Sequence, residues 1–175
     1  MDTMRELHKT LSEAARLLYA ELSEEELERT LPQLNVDQKV LLAKRDTLPE
    51  KIALLLASDP SSEVRISLAG RRDLPRRVMK VLLSDPCFAV RRRLAKRRDL
   101  PVEAQLALAN DWNHFVLWEL ASNRNLSPAT QRTLVLRGDH EVWEELLENP
   151  ALSSEAKALL FRLSGCQLSP EHPSF

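Results

Sequence analysis

Residues 48–73 read LPEKIALLLASDPSSEVRISLAGRRD, and residues 74–99 read LPRRVMKVLLSDPCFAVRRRLAKRRD. Laid one over the other without a gap, they coincide at Leu-Pro, Asp-Pro, Val-Arg and Leu-Ala. The same spacing continues outward in both directions. Leu22, Leu48, Leu74, Leu100, Leu126 and Leu152 recur every 26 residues, each followed by Ser or Pro. Leu42-Ala43, Leu68-Ala69, Leu94-Ala95, Leu120-Ala121 and Leu146-Leu147 form a second series, and Val64, Val90, Val116 and Val142 a third. A fixed period of this length is the mark of a repeat architecture.

Each copy resolves into two helices. The first opens on Pro or Ser and carries apolar residues at helical spacing, Ile52, Leu55 and Leu56, then Val78, Val81 and Leu82. The second runs roughly from Ser62 to Gly70 and buries Val64, Leu68 and Ala69. Between them stand Asp59-Pro60 and Asp85-Pro86, which decay to Asp111-Trp112 and Arg137-Gly138. Helices this short are unstable alone, so stacking on neighbouring copies must supply their stability. The expectation is an all-α chain, an α-solenoid of about five two-helix repeats forming one domain over residues 1–165. Residues 1–21 are read as an N-terminal cap helix (Leu7, Leu11, Ala14, Ala15, Leu18), with a Ser23–Glu26 capping box after it. Residues 22–152 are the repeats, 153–165 a closing helix ended by Gly165, and 166–175 a flexible tail. All six leucines of the first series should be buried.

Composition narrows the function classes. With 175 residues, 43% hydrophobic and 29% charged, the chain is ordinary globular material, and its net charge of −1 gives no overall pull toward nucleic acid or an anionic membrane. Cys87 and Cys166 lack C-x-x-C spacing, which argues against a disulfide framework or a metal cluster and for the reducing cytoplasm. No apolar run approaches the roughly 18 residues of a membrane span, so no membrane partner is expected. His114 and His140 share a repeat position, but no carboxylate or cysteine at recognisable spacing completes a metal set. Three glycines and the absence of a phosphate loop, nucleophile elbow or H-E-x-x-H leave no catalytic residues, cofactor or small-molecule substrate to name.

The order Leu-Pro, Asp-Pro, then Val-Arg-x-x-Leu-Ala, as in Asp59-Pro60 and Val64-Arg65 through Leu68-Ala69, resembles the leucine-rich repeat variant and HEAT-like helical repeats over residues 22–164. The resemblance implies a right-handed superhelix used as a binding surface. The repeat-variant units usually run slightly shorter than these, and the iron–sulfur module of some members has no counterpart here. In HEAT-like stacks, arginines such as Arg65 and Arg91 commonly pair with the punctuating aspartates, here Asp59 and Asp85, as a structural ladder.

Charge is concentrated locally. Residues 65–98 hold twelve basic residues against Asp73 and Asp85, a net +10, so the rest of the chain sums to −11. On the exposed side of the second helix, successive copies carry Ile66, Ser67 and Gly70; Arg92, Arg93 and Lys96; Trp118, Glu119 and Ser122; and Glu144, Glu145 and Glu148. Unopposed like charge is not needed for stability. Arg71, Arg72, Arg92, Arg93, Lys96, Arg97 and Arg98 are therefore the expected partner-binding residues, with Trp118 at their edge. Trp112, Phe115 and Trp143 crowd the same copies, Phe115 and Trp143 with a core-filling role. Arg with Trp is the composition of interface hot spots, and the flanking glutamates would repel a long duplex. The expected role is a non-catalytic module binding an acidic protein surface, with a nucleic acid as the alternative partner.

Overall fold

The computed structural model describes residues 22–165. The expected N-terminal cap helix and C-terminal tail lie outside these residues. Everything described is helix, turn or loop, with no strand. The helices are α1 (Glu24–Thr30), followed by a 3-10 turn at Leu31–Gln33, α2 (Val36–Ala43), α3 (Glu50–Ala57), α4 (Ser62–Ala69), α5 (Arg76–Leu83), α6 (Phe88–Ala95), α7 (Val102–Ala109), α8 (His114–Ala121), α9 (Pro128–Leu136), α10 (His140–Glu148) and α11 (Ser154–Leu163). The chain is all-α. None of these helices is long and apolar enough to cross a membrane.

Local chemistry sets the helix ends. Ser23 and Glu26 close a capping box at α1, and Asn35 with Gln38 closes a second at α2. Pro49, Pro75 and Pro101 occupy the N-cap of α3, α5 and α7 with φ between −57° and −64°, where the missing N–H costs nothing. Ser127 and Ser153 cap α9 and α11 through their hydroxyls. Gly165, at φ +57°, takes the left-handed turn that ends α11.

The chain divides into two compact units, residues 1–90 and 91–175, with the boundary inside α6. In the described part of the first unit, α3 packs on α1 and α5 in one row and α2 on α4 in another, with α3 and α4 in contact between rows. In the second, α9 packs on α7 and α11, α8 on α10, and the rows meet through α7–α8 and α9–α10. Helices therefore pair with the element one period away as well as with their sequence neighbour.

In the first unit the core lies between the rows, on a stripe turned round the helix from the one that helical spacing suggested. Ile52, Ala53, Leu56 and Ala57 are buried on α3, and Val78, Met79 and Leu82 on α5. Leu55 and Val81 are exposed instead of buried. At 100° per residue, Leu55 lies about 130° round the helix from the centre of that stripe. Of the six spaced leucines, Leu74, Leu100 and Leu126 are buried, while Leu22, Leu48 and Leu152 are only half-buried, so burial falls off toward both ends of the described segment.

Leu94 on α6 is fully buried. Leu94→Ala should lower the free energy of unfolding by about 2–5 kcal/mol through the cavity it leaves, read by urea denaturation with far-UV circular dichroism. A loss below about 0.5 kcal/mol would place Leu94 outside the core.

Candidate interaction surface

Two series of side chains at the 26-residue period turn out to be internal. In the first, an aspartate precedes each second helix. Its Oδ1 accepts the N–H two residues on, Ser61 to Asp59 (2.9 Å), Cys87 to Asp85 (2.9 Å) and Asn113 to Asp111 (2.8 Å), which turns the chain into the helix. The other face of the carboxylate takes a cation from twenty residues upstream. Lys39 meets Asp59 at 2.8 Å, Arg65 holds Asp85 in a fork at 2.7 and 3.1 Å, and Arg91 holds Asp111 at 2.6 and 3.0 Å. The resemblance paired Arg65 with Asp59 and Arg91 with Asp85. The forks instead reach forward to the next aspartate, while Arg65 donates to the backbone carbonyls of Asp59 (2.6 Å) and Pro60 (3.1 Å). Asp59, Arg65, Asp85, Arg91 and Asp111 are all buried. Beyond Asp111 the charged pair gives way to apolar packing, with Leu117 and Trp143 at the arginine position. Trp143 is buried and donates its indole N–H to Val135 O at 2.9 Å.

The second series removes two expected contact residues from the surface. Arg71 is 4% exposed in its side chain and donates to the carbonyls of Ala43 (2.8 Å), Arg45 (2.6 Å) and Asp46 (3.2 Å), with Asp73 beside it at 2.7 Å. Arg97 is 6% exposed and pairs with Asp99 at 2.7 Å. Asn123 and Asn149 hold the equivalent positions. Asn123 donates to Ala95 O (2.8 Å) and Arg97 O (2.7 Å), and Asn149 to Ala121 O (2.6 Å) and Asn123 O (3.0 Å). Arg71, Asn123 and Asn149 thus cap carbonyls one repeat back, and Arg97 is buried against Asp99, so Arg71 and Arg97 are structural. Of each Arg-Arg pair only the second member, Arg72 or Arg98, is exposed.

Arg72 belongs to the first unit, whereas Arg92, Arg93, Lys96, Arg98 and Trp118 all belong to the second. Arg92 Nε lies 2.8 Å and Lys96 Nζ 3.3 Å from Oε2 of Glu119, a carboxylate only 9% exposed. Sequence reasoning treated Glu119 as a source of repulsion. Its position one period after Arg93 was the signal that it neutralises the preceding helix. Arg93 and Arg98 remain exposed. A shallow depression lined by Lys96, Arg98, Glu119, Ser122, Asn123 and Arg124 lies at the C-terminal ends of α6 and α8, where cations answer the helix dipoles.

α8 and the turn before it expose aromatic surface. Trp112 is 76% exposed, Phe115 56% and Trp118 38%, so Phe115 does not fill the core. Trp112 lies over the Arg91 guanidinium at 4.9 Å, a cation–π contact that fixes one face of the ring. On the other side, α10 presents Glu141, Glu144 and Glu148 exposed and Glu145 half-buried. Burial raises the Glu145 carboxyl above its ordinary range, and the charges of Glu148 and Glu119 raise it further. Basic, aromatic and acidic strips thus lie side by side on α6, α8 and α10.

His114 links α8 to α10. Its Nδ1 is 3.0 Å from Asp139 Oδ2 and its Nε2 2.8 Å from Glu141 Oε2. The hydrogen bond to Asp139 raises the imidazole above its ordinary value, desolvation opposes this, and the charges of Asp139 and Glu141 add to the rise. Burial works to raise Asp139, but hydrogen bonds from His114 and from the Val142 N–H outweigh it and leave the carboxyl lowered.

No family model matches the chain, and no curated protein or solved structure matches it either.

The histidine bridge has a pH signature. A group raised on folding contributes stability that is complete below its unfolded value, about 6.5, and lost as pH rises through the folded value. Wild-type melting temperature should therefore fall between about pH 6 and pH 8.5 by more than that of His114→Gln, the difference corresponding to at most about 1 kcal/mol because the ring is one-third exposed. Identical pH dependence in the two proteins would remove the bridge from the account.

Proposed function

We propose that the chain is an α-solenoid of 26-residue two-helix repeats acting as a non-catalytic interaction module. It binds an acidic protein surface through Arg92, Arg93, Lys96 and Arg98, with Trp118 alongside. The observation that carries this reading is the exposure of Trp112, Phe115 and Trp118 on α8 and the turn before it, beside the helix that carries those cations, on a chain whose other tryptophan is buried. Large aromatics are costly to leave in water and are favoured where a partner covers them. Glu119 offsets part of the charge of α6, leaving Arg93 and Arg98 as the cations best able to meet an acidic partner. Aromatic anchors supply affinity, and exposed cations supply orientation and association rate.

The test is affinity purification of the chain from its native cell, with and without nuclease, followed by the double variant Arg93→Glu with Arg98→Glu. The expected result is a protein partner retained after nuclease and lost in the variant, with an unchanged melting temperature. Binding that survives the variant contradicts the basic surface, and release by nuclease makes the partner a nucleic acid.

A further inference from the structure

The three strips of the second unit are self-complementary. The helices α8 and α10 run parallel, since His114 meets Asp139 and Glu141 at their starts and Asn149 meets Ala121 at their ends. The C-terminal half of α6 runs parallel to α8 in the same way, with Arg91 on Asp111 at one end and Asn123 on Ala95 at the other. Across this face the order is basic (Arg92, Arg93, Lys96), aromatic (Phe115, Trp118), acidic (Glu144, Glu145, Glu148).

We propose that this face docks on a second copy of the chain about a two-fold axis running along α8. Rotation about an axis parallel to the helices exchanges left and right but keeps height along the helix. The basic strip of each copy therefore covers the acidic strip of the other, and the aromatics meet their own counterparts at the axis. Because the strips share one repeat register, the rotation sets Arg92 opposite Glu144 of the second copy, Arg93 opposite its Glu145 and Lys96 opposite its Glu148. A two-fold axis across the helices would instead set like charge on like charge. Closed two-fold contacts use one patch on both subunits, and this patch satisfies that condition. The arrangement also supplies a cation to Glu145, which the charges of Glu148 and Glu119 crowd.

The area sets the strength. Three helices about 13 Å long, spaced about 10 Å apart, make a face of roughly 350 Å² per copy, below that of a standard stable interface. The dimer is transient and weakens as salt rises. It occupies the surface assigned above to a partner, so self-association and partner binding compete, but the dimer stands without that reading because no other molecule takes part.

Sedimentation equilibrium of the full chain at low salt, up to about 500 μM, is the test, this range being where weak contacts populate. The mass should rise from 20.0 kDa toward twice that value. Two variants then read the geometry: Arg93→Glu with Lys96→Glu makes both outer strips acidic, and Glu145→Lys with Glu148→Lys makes both basic. Each alone should weaken association at least about tenfold, and an equimolar mixture should restore it as a heterodimer. Trp118→Ala should weaken it in either background. A monomer throughout the range, or a mixture that associates no better than its components, overturns the proposal. If the acidic variant fails to fold, Glu145→Lys with Glu148→Lys and Trp118→Ala decide alone, and association as strong as wild type in either overturns it.

Discussion

An eight-residue helix ends in carbonyls that nothing inside the helix can satisfy, and here the donors that satisfy them come from the following repeat. Arg71 reaches back to Ala43 and Arg45, Asn123 to Ala95 and Arg97, Asn149 to Ala121 and Asn123. Short helices cannot hold themselves together. Within each unit a repeat therefore needs its neighbour twice, for the helix contacts along each row and for the polar closure of its second helix. The Asp59, Asp85 and Asp111 series completes the scheme at the opposite end of that helix, where one carboxylate both starts a helix and receives the cation of the repeat before.

This division of labour explains the distribution of charge. A net +10 over residues 65–98 looks in the sequence like one basic patch. Folding internalises Arg65, Arg71, Arg91 and Arg97, sets Arg92 and Lys96 against Glu119, and leaves Arg72, Arg76, Arg77 and Lys80 exposed in the first unit and Arg93 and Arg98 in the second. In the later copies an amide does the work of the guanidinium. Asn123 and Asn149 take over at the carbonyl ends, while Gln105 and Gln131 tie first helices to the next loop, donating to Asn125 O at 3.0 Å and Ala151 O at 2.8 Å.

The period, the two helices per copy and the buried Leu-Ala series were legible because apolar spacing is a property of the chain itself. Which arginine of each Arg-Arg pair faces inward was not, since both sit at a helix C-terminus and either could answer its dipole. A signal existed: the inward position carries a donor in every copy, Arg45, Arg71, Arg97, Asn123 and Asn149, whereas the outward one varies freely. Leu55 and Val81 were misplaced because the two-row packing buries positions i, i+1, i+4 and i+5, a consequence of what lies across the helix rather than of its own periodicity. The Arg–Asp pairing missed its register for the same reason, since the neighbour a side chain reaches depends on how one repeat stacks on the next.

If carbonyl capping by the following repeat holds the stack together, Asn123→Leu is the measurement that tests it most directly. Leucine keeps the branching and heavy-atom count of asparagine, though its methyl groups are bulkier, and cannot donate, so the Ala95 and Arg97 carbonyls would be left buried without it. Equilibrium urea denaturation should show a loss of about 2–4 kcal/mol, on the scale of two such unmet groups. A loss below about 0.5 kcal/mol would mean that apolar packing alone joins the repeats and that the polar series is incidental.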